Sequence, residues 1–261
     1  MVLRWLPSLI TIGAVVALAA YGPIAQFPDY HHFADQRALA GVPHALDVLS
    51  NVGFAVVALW GARQVVRGRS YGYALFVVSL LLTAFGSAFY HLDPNDARLV
   101  WDRLPIALAC AGLLVGVRAE SRGRHDEAFE TGALALAAAA SVYWWNITGD
   151  LRPYLLLQAL PLLLIPLWQW IYHAPRERRL AFGVAIGLYV LAKVGELGDH
   201  AIYGAIGLVS GHTVKHLLAS LGAATVVFNL NGGVIFGLHR DGMSLFDVER
   251  RASAHNLTRS R

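Results

Sequence analysis

The chain alternates long apolar runs with short polar segments, and a membrane helix needs about 20 mainly apolar residues. Read against glycine, proline and charged breakers, the pattern predicts eight spans, at residues 4–22, 44–62, 71–91, 98–118, 127–146, 152–172, 179–203 and 208–238. The last run is long enough to break near residues 229–233. Period-two alternation, which marks membrane β-barrel strands, does not occur. The predicted fold class is therefore all-α, a polytopic membrane helical bundle.

The same pattern predicts one domain with a short segment at each end. Residues 1–22 are expected to form an N-terminal transmembrane anchor, 23–43 an outer loop, 44–238 a seven-span core and 239–261 a polar cytoplasmic tail. A cleaved signal peptide is the alternative for the first run. Its apolar stretch is long for that, and the following YGPIAQ is a poor cleavage site, which favours a retained anchor.

Composition agrees with a membrane protein. Charged residues make up 15% of the chain, against about 25% in soluble domains. The net charge of +4 does not indicate nucleic-acid binding, because the basic residues form short clusters between the apolar runs. The single cysteine, Cys110, excludes a disulfide framework and a cysteine-based metal site.

The arginine clusters predict the orientation. With the N-terminus inside, fifteen arginines fall in inner segments and four in outer ones, so both termini are expected in the cytoplasm. Abundant arginine and alanine with almost no lysine are typical of a high-GC bacterium. The expected location is therefore a bacterial cytoplasmic membrane.

Polar residues from five predicted spans share one depth, near the outer helix ends. Ionisable groups within a span cost roughly 2.5–3.5 kcal/mol each by insertion scales and usually mark a function. The set comprises His44, Asp47, Ser50, Asn51, Ser87, His91, Asp102, Glu196, Asp199, His200, His212, Lys215 and His216.

The segment HTVKH gives this set a chemical interpretation. His212 and His216 are four residues apart, so a helix places both rings on one face, where they can share a metal ion. A catalytic zinc site needs a third protein ligand, and His91 lies at matching depth on another span. Lys215 is placed about 100° from His212 around the helix and is not expected to be a ligand.

Structural roles stay open for several of these residues. In the structural alternative, Ser87 donates a hydrogen bond to a carbonyl of its own helix, and Asp102 caps its helix or pairs with Arg103. His44 and His173 are expected to be hydrogen-bonded rim residues. Three further residues are expected to orient a metal-bound imidazole, pair with Lys193 or Lys215, or line a pocket; they are Glu196, Asp199 and His200.

These residues resemble a known family. SAFYH (residues 87–91), Asp102 eleven residues later and HTVKH resemble the alkaline ceramidases, and HALDVLSNVGFAVVALWG (44–61) resembles the start of their core. That family belongs to a superfamily of seven-span membrane hydrolases that includes the adiponectin-receptor proteins. The resemblance covers about residues 29–238 and indicates a bacterial-type member. The first predicted span, at residues 4–22, precedes the seven spans that resemble the family.

The resemblance implies a chemistry. His91, His212 and His216 would bind Zn²⁺, Asp102 would activate water, and Ser87 would steady the oxyanion. The implied reaction is hydrolysis of a ceramide-like lipid amide, drawn from the bilayer, to a fatty acid and a sphingoid-type base. The active site would lie toward the outer, periplasmic face.

One part of the family pattern is missing. Eukaryotic members resemble one another in an acidic N-terminal segment that binds calcium, whereas the corresponding stretch here has only Asp29, Asp35 and Asp47, so no calcium site is assigned. Two alternatives to the hydrolase stay open. One is a receptor-like relative with a structural zinc, and the other is a membrane protein that uses paired histidines to bind haem or handle ions.

Overall fold

Helices dominate the part of the chain that the computed structural model describes, which comprises residues 2–68, 70–123 and 127–230. After a short 3-10 turn at Val2–Arg4, ten α-helices follow in chain order: α1 Leu6–Tyr21, α2 Ala45–Leu49, α3 Val52–Gly68, α4 Tyr71–Leu92, α5 Asp96–Arg122, α6 Ala128–Thr148, α7 Arg152–Ile171, α8 Arg176–Leu197, α9 Asp199–Ile206 and α10 Gly211–Asn229. No strand occurs among the described residues, so the all-α prediction is confirmed.

Five helical segments are long and apolar enough to cross a membrane, as expected of a membrane protein. They are Ala45–Val65 (α2 with most of α3), Tyr71–Leu92, Asp96–Arg122, Arg152–Ile171 and Arg176–Leu197. The first helix, α1, is apolar but has only 16 residues. Large apolar side chains such as Phe85 and Leu191 are exposed on the bundle surface. A lipid environment would cover them.

Two predicted spans are interrupted at the depth of the polar residues. The span at 44–62 consists of α2 and α3, with Ser50 and Asn51 between them. A single helix over 179–203 is wrong, because α8 ends at Leu197 and α9 begins after Gly198. The Asp199 carboxylate accepts hydrogen bonds from the backbone N–H groups of Ala34 and His212, contacts that no local pattern encodes.

Part of the last predicted span cannot be compared. Residues 231–238, most of the break predicted at 229–233 and the tail 239–261 lie outside the described residues, and α10 is described to Asn229.

Close backbone contacts organise the bundle into two tightly packed helix pairs, α4 with α5 and α8 with α10. A Cβ atom added at Gly86 of α4 would overlap the backbone carbonyl of Trp101, and one at Gly211 of α10 would overlap that of Gly195. Glycine lets two helices approach this closely. α3 packs against both α4 and α10, and therefore joins the pairs.

Candidate metal centre

Three histidines lie together between the end of α4 and the start of α10. The ring centroids of His91, His212 and His216 are 4.7, 4.8 and 5.0 Å apart, and one nitrogen of each lies within 4.8 Å of the others. Their exposed fractions are 0%, 4% and 3%. The predicted cluster is thus confirmed as three buried imidazoles close enough to bind one metal ion.

Hydrogen bonds to one ring nitrogen of His216 leave the other for a metal. Nδ1 lies 3.1 Å from the backbone oxygen of Asp47 and 2.8 Å from Oγ of Ser50. A carbonyl oxygen can only accept, so Nδ1 carries the proton and Nε2 keeps its lone pair. Such a bond sets the tautomer and orientation of a metal-binding histidine.

His212 is held at both its backbone and its ring. The Asp199 carboxylate accepts its backbone N–H at 2.8 Å. The Nζ atom of Lys215 lies 3.3 Å from its Nε2, and because an ammonium only donates, Nε2 is the unprotonated nitrogen. A metal ion bound at that nitrogen would replace the lysine's hydrogen bond. The placement of Lys215 about 100° from His212 is wrong. Three residues at about 100° each bring the lysine to about 60° on the other side.

His91 tests whether a metal ion fits. Both of its ring nitrogens are buried without a hydrogen-bond partner among the described residues. A neutral imidazole has one donor and one acceptor nitrogen, and an unsatisfied buried polar group costs about 1–3 kcal/mol. A metal ion shared with His212 and His216 would occupy the acceptor. Three histidines are a ligand set found at catalytic zinc sites, so these residues fit zinc.

A haem between opposed histidines fits less well. The rings of His91 and His212 are in edge contact, with centroids 4.7 Å apart. This contact leaves no space for a macrocycle between them.

Ser87 lies beside the histidines. Its Oγ atom is 3.5 Å from Nε2 of His216, and Asp102 of α5 lies next to Trp101, whose backbone carbonyl is close to Gly86. Ser87 and Asp102 are buried, with 1% and 5% exposure. Ser87 directly follows Gly86 in the sequence, and Asp102 directly follows Trp101. The close contact between Gly86 and the Trp101 backbone therefore brings Ser87 and Asp102 near each other.

Among the described residues, Asp102 neither caps its helix nor forms a direct ion pair with Arg103. The N-cap of α5 is Asn95, whose side chain accepts the backbone N–H of Arg98. The Arg103 guanidinium stacks on Trp145 at 3.9 Å and donates to Gln26 at 2.7 Å. Asp102 is buried inside the bundle, where it lines the internal cavity.

The three acidic and histidine residues near the end of α8 have separate roles. Glu196 forms ion pairs with Lys193 at 2.6 Å and Lys215 at 2.7 Å, which is one of the roles expected for it. His200 contacts the backbone oxygen of His32 at 3.0 Å. None of the three orients a histidine ring through a described hydrogen bond. Asp199 binds the backbone of His212, and the ring of His216 is bound by Ser50 and Asp47 instead.

The 23–43 segment covers the histidines. Phe33, which is 4% exposed, places its ring 4.6 Å from that of His91 and 4.5 Å from that of His212. Asp35 is bound by the guanidinium of Arg37, and the side-chain hydrogen bond lowers the pKa of the Asp35 carboxyl group. His44 contacts the backbone oxygen of Asp35 at 2.9 Å, so it is a hydrogen-bonded residue as expected.

Phe33 was not singled out by the sequence, because an apolar residue in a loop follows no helical or strand periodicity. The residues that orient His216 were within the polar set, but only the fold shows that Ser50 contacts its ring.

A cavity of about 730 Å³ extends from the histidines into the bundle. Its polar end is lined by Ser87, Asp102, His212, His216 and the Lys193–Glu196–Lys215 group, whereas Phe76, Phe182 and Val226 line its apolar part. Val226 lies ten residues beyond His216 on α10, so the cavity runs roughly 15 Å along that helix. It therefore joins a polar site to a long apolar pocket.

These features define a class of protein: all-helical, with five segments that could cross a membrane and a buried three-histidine site at the end of a deep cavity. No protein-family model, curated protein or solved structure matches the chain. Any proposal about its activity therefore depends on the site itself.

Proposed function

We propose that this chain is a zinc-dependent membrane hydrolase that cleaves the amide bond of a ceramide-like lipid, as the alkaline ceramidases do. The observation that carries the proposal is the buried cluster of His91, His212 and His216 at the polar end of an apolar cavity. When bound there, zinc would polarise an acyl oxygen and lower the pKa of a water molecule to about 7.

Asp102 transfers protons in the proposed reaction, and Ser87 donates a hydrogen bond. The Asp102 carboxylate accepts a proton from the attacking water, whose oxygen bonds to the acyl carbon, and it returns a proton to the amine as the C–N bond breaks. The Ser87 hydroxyl donates to the acyl oxygen as that atom gains negative charge. Burial of both residues beside the histidines supports these assignments.

The cavity and the 23–43 segment prepare the substrate. An acyl chain that enters the apolar part gains about 0.8 kcal/mol for each buried CH₂ group. Phe33 packs over His91 and His212 and limits the access of bulk water to them. The products are a fatty acid and a sphingoid-type base.

We propose a topology in which seven spans form the core, with α6 and α10 crossing the membrane in addition to the five most apolar segments. α1 precedes them as an additional anchor. The arginine distribution supports cytoplasmic termini and an active site toward the periplasmic face of a bacterial cytoplasmic membrane.

Metal analysis joined to an amidase assay on ceramide tests the proposal. The purified wild-type protein is expected to contain one zinc ion per chain and to release fatty acid. His216→Ala should lose both zinc and activity, whereas Asp102→Asn should keep zinc and lose activity. Zinc without hydrolysis of any lipid amide would favour the receptor-like alternative and overturn the proposed activity.

A further inference from the structure

The chain uses lysine in one place only. Of its 21 lysine and arginine residues, just Lys193 and Lys215 are lysines. Both belong to the polar end of the cavity, and both form an ion pair with Glu196. Lysine carries a compact charge with three rotatable donors, whereas arginine presents a fixed planar fork. The cavity therefore has two adjustable cationic donors where the rest of the chain has arginine.

One carboxylate cannot neutralise two ammonium groups. Glu196 uses Oε2 for Lys193 and Oε1 for Lys215, and no other carboxylate among the described residues forms an ion pair with either lysine. Asp199 is occupied by two backbone N–H groups. Asp102 lines the same end of the cavity, but it forms no direct ion pair with either lysine among the described residues, and it is the carboxylate proposed to exchange protons with water. Because cationic groups within a membrane protein are usually paired, the Lys193–Glu196–Lys215 group can take one further directly bound anion.

Spare hydrogen-bond donors point the same way. An ammonium has three donors. Lys193 uses one on Glu196, and Lys215 uses one on Glu196 with a second toward His212. Two donors of Lys193 and one of Lys215 therefore remain, and a ligand carboxylate can accept from both lysines.

The position of the Lys193–Glu196–Lys215 group indicates which part of a substrate would carry the oxygen that the lysines bind. Nζ of Lys215 is 3.3 Å from Nε2 of His212, so the group of Lys193, Glu196 and Lys215 begins beside the three-histidine cluster rather than in a distant part of the cavity. A carboxylate bound there would be separated by few bonds from the amide under attack. In an N-acyl amino acid, one carbon atom separates the amide nitrogen from the carboxylate.

We propose that Lys193 and Lys215, which are both paired with Glu196, bind a substrate carboxylate next to the scissile amide, so that long-chain N-acyl amino acids are preferred substrates. This inference rests on the proposed lipid-amide hydrolysis and changes the substrate expected to react best, because ceramide is neutral and offers the lysines no carboxylate. Water adds its oxygen to the acyl carbon, the C–N bond breaks and the amine takes the proton, which leaves a fatty acid and an amino acid.

Two lipid amides that differ only in the presence of the carboxylate test the preference for N-acyl amino acids. N-palmitoylglycine ends in a carboxylate, and N-palmitoylethanolamine has a CH₂OH group in the same place. The wild-type protein is expected to favour the acid in kcat/KM. Lys193→Met should reduce that preference roughly ten- to a hundredfold, the usual effect of one hydrogen bond to a charged group.

The variant and its controls isolate the charge. Lys193→Met leaves Glu196 paired one-to-one with Lys215, so the fold should persist, and Lys193→Gln provides a second variant that removes the charge but keeps a donor. Arg98→Met removes a cation that pairs with the exposed Asp93 and does not line the cavity. That control should leave the preference unchanged.

A binding measurement separates this inference from the proposed activity. Cys110, the single cysteine, lines the cavity, so a bound amphiphile should slow its alkylation. Hexadecanesulfonate should protect it at lower concentration than hexadecanol, and Lys193→Met should remove that difference. Such a result without any hydrolysis would refute the hydrolase and retain the anion site. Equal protection by both probes, or an unchanged substrate preference in both lysine variants, would overturn the inference.

Discussion

Oγ of Ser50 lies 2.8 Å from Nδ1 of His216, and the ring's other nitrogen lies 3.5 Å from Oγ of Ser87. The serine sits in the break between α2 and α3, where its own proton goes to the Asp47 backbone oxygen at 3.0 Å. It therefore accepts the imidazole N–H. A helix interruption thus fixes the tautomer of a candidate ligand more than 160 residues away in the sequence.

Removal of this contact should weaken metal binding. Loss of a partner that orients a metal-binding histidine typically costs 10- to 100-fold in affinity. Because the Asp47 carbonyl still accepts from the ring, the loss of zinc affinity in Ser50→Ala should lie near the lower end of this range, at about tenfold. Competition with a zinc-sensitive dye measures the change. Ser79→Ala, a buried serine bonded to its own helix, is the control, and an equal effect of the two substitutions would refute the orienting role.

Zinc should stabilise the protein through His91. A ligand that binds only the folded state stabilises it by RT ln(1 + [L]/Kd), about 2.7 kcal/mol at a hundredfold excess over Kd. We expect the melting temperature to rise with zinc concentration and to fall on chelation. In His91→Ala the zinc dependence should disappear. A rise of the same size in that variant would show that zinc binds elsewhere.

Gly86 should not tolerate a side chain. A Cβ atom there would overlap the Trp101 carbonyl, so α4 and α5 would have to separate where they hold Ser87 and Asp102. Overpacking costs typically 1–3 kcal/mol, and Gly86→Ala should lower the melting temperature in detergent. Gly132→Ala on α6 meets no atom within 4 Å and is the control. Since alanine favours helices, that substitution should be neutral or stabilising.

Asp150 should make stability depend on pH. Its carboxylate accepts from Arg152, from Trp144 and from the backbone N–H of Ile24, and the Arg152 hydrogen bond is the main cause that lowers its pKa. A carboxyl group with a lowered folded pKa stabilises the protein above its unfolded pKa of about 3.9, and the contribution is lost as pH falls through the folded value.

Asp150→Asn should therefore lower the melting temperature at pH 7, and the difference from wild type should shrink below about pH 4. Thermal denaturation at several pH values measures it. Asp93→Asn, which removes a carboxylate whose side chain is 67% exposed, should show little effect at any pH. A difference for Asp150→Asn that stays constant down to pH 2 would contradict the charge-based explanation.

The sequence predicted most of the helices and the three-histidine cluster, because both follow from local rules. Apolar runs define helices of membrane length, and an interval of four residues places His212 and His216 on one face. Matching depth then brought His91 into the group, which the fold confirms. The zinc, the catalytic roles and the seven-span topology stay predictions.

Other features depend on contacts between distant segments, which local rules do not contain. The break at Gly198 accompanies the binding of the neighbouring Asp199 to Ala34 and His212. Phe33 covers the histidines only because the 23–43 segment folds over the bundle end. The position of Lys215 beside His212 was within reach of helix geometry, since three residues make nearly a full turn.

The distribution of the histidines over the two helix pairs has a mechanical consequence. His91 belongs to the α4–α5 pair and His212 and His216 to the α8–α10 pair, so an ion held by all three would be a cross-link between them. It would close a loop from residue 91 to residue 212, and such long loops carry a large closure entropy. Metal binding would then restrain how far the two pairs can move apart, and with them the opposite walls of the cavity.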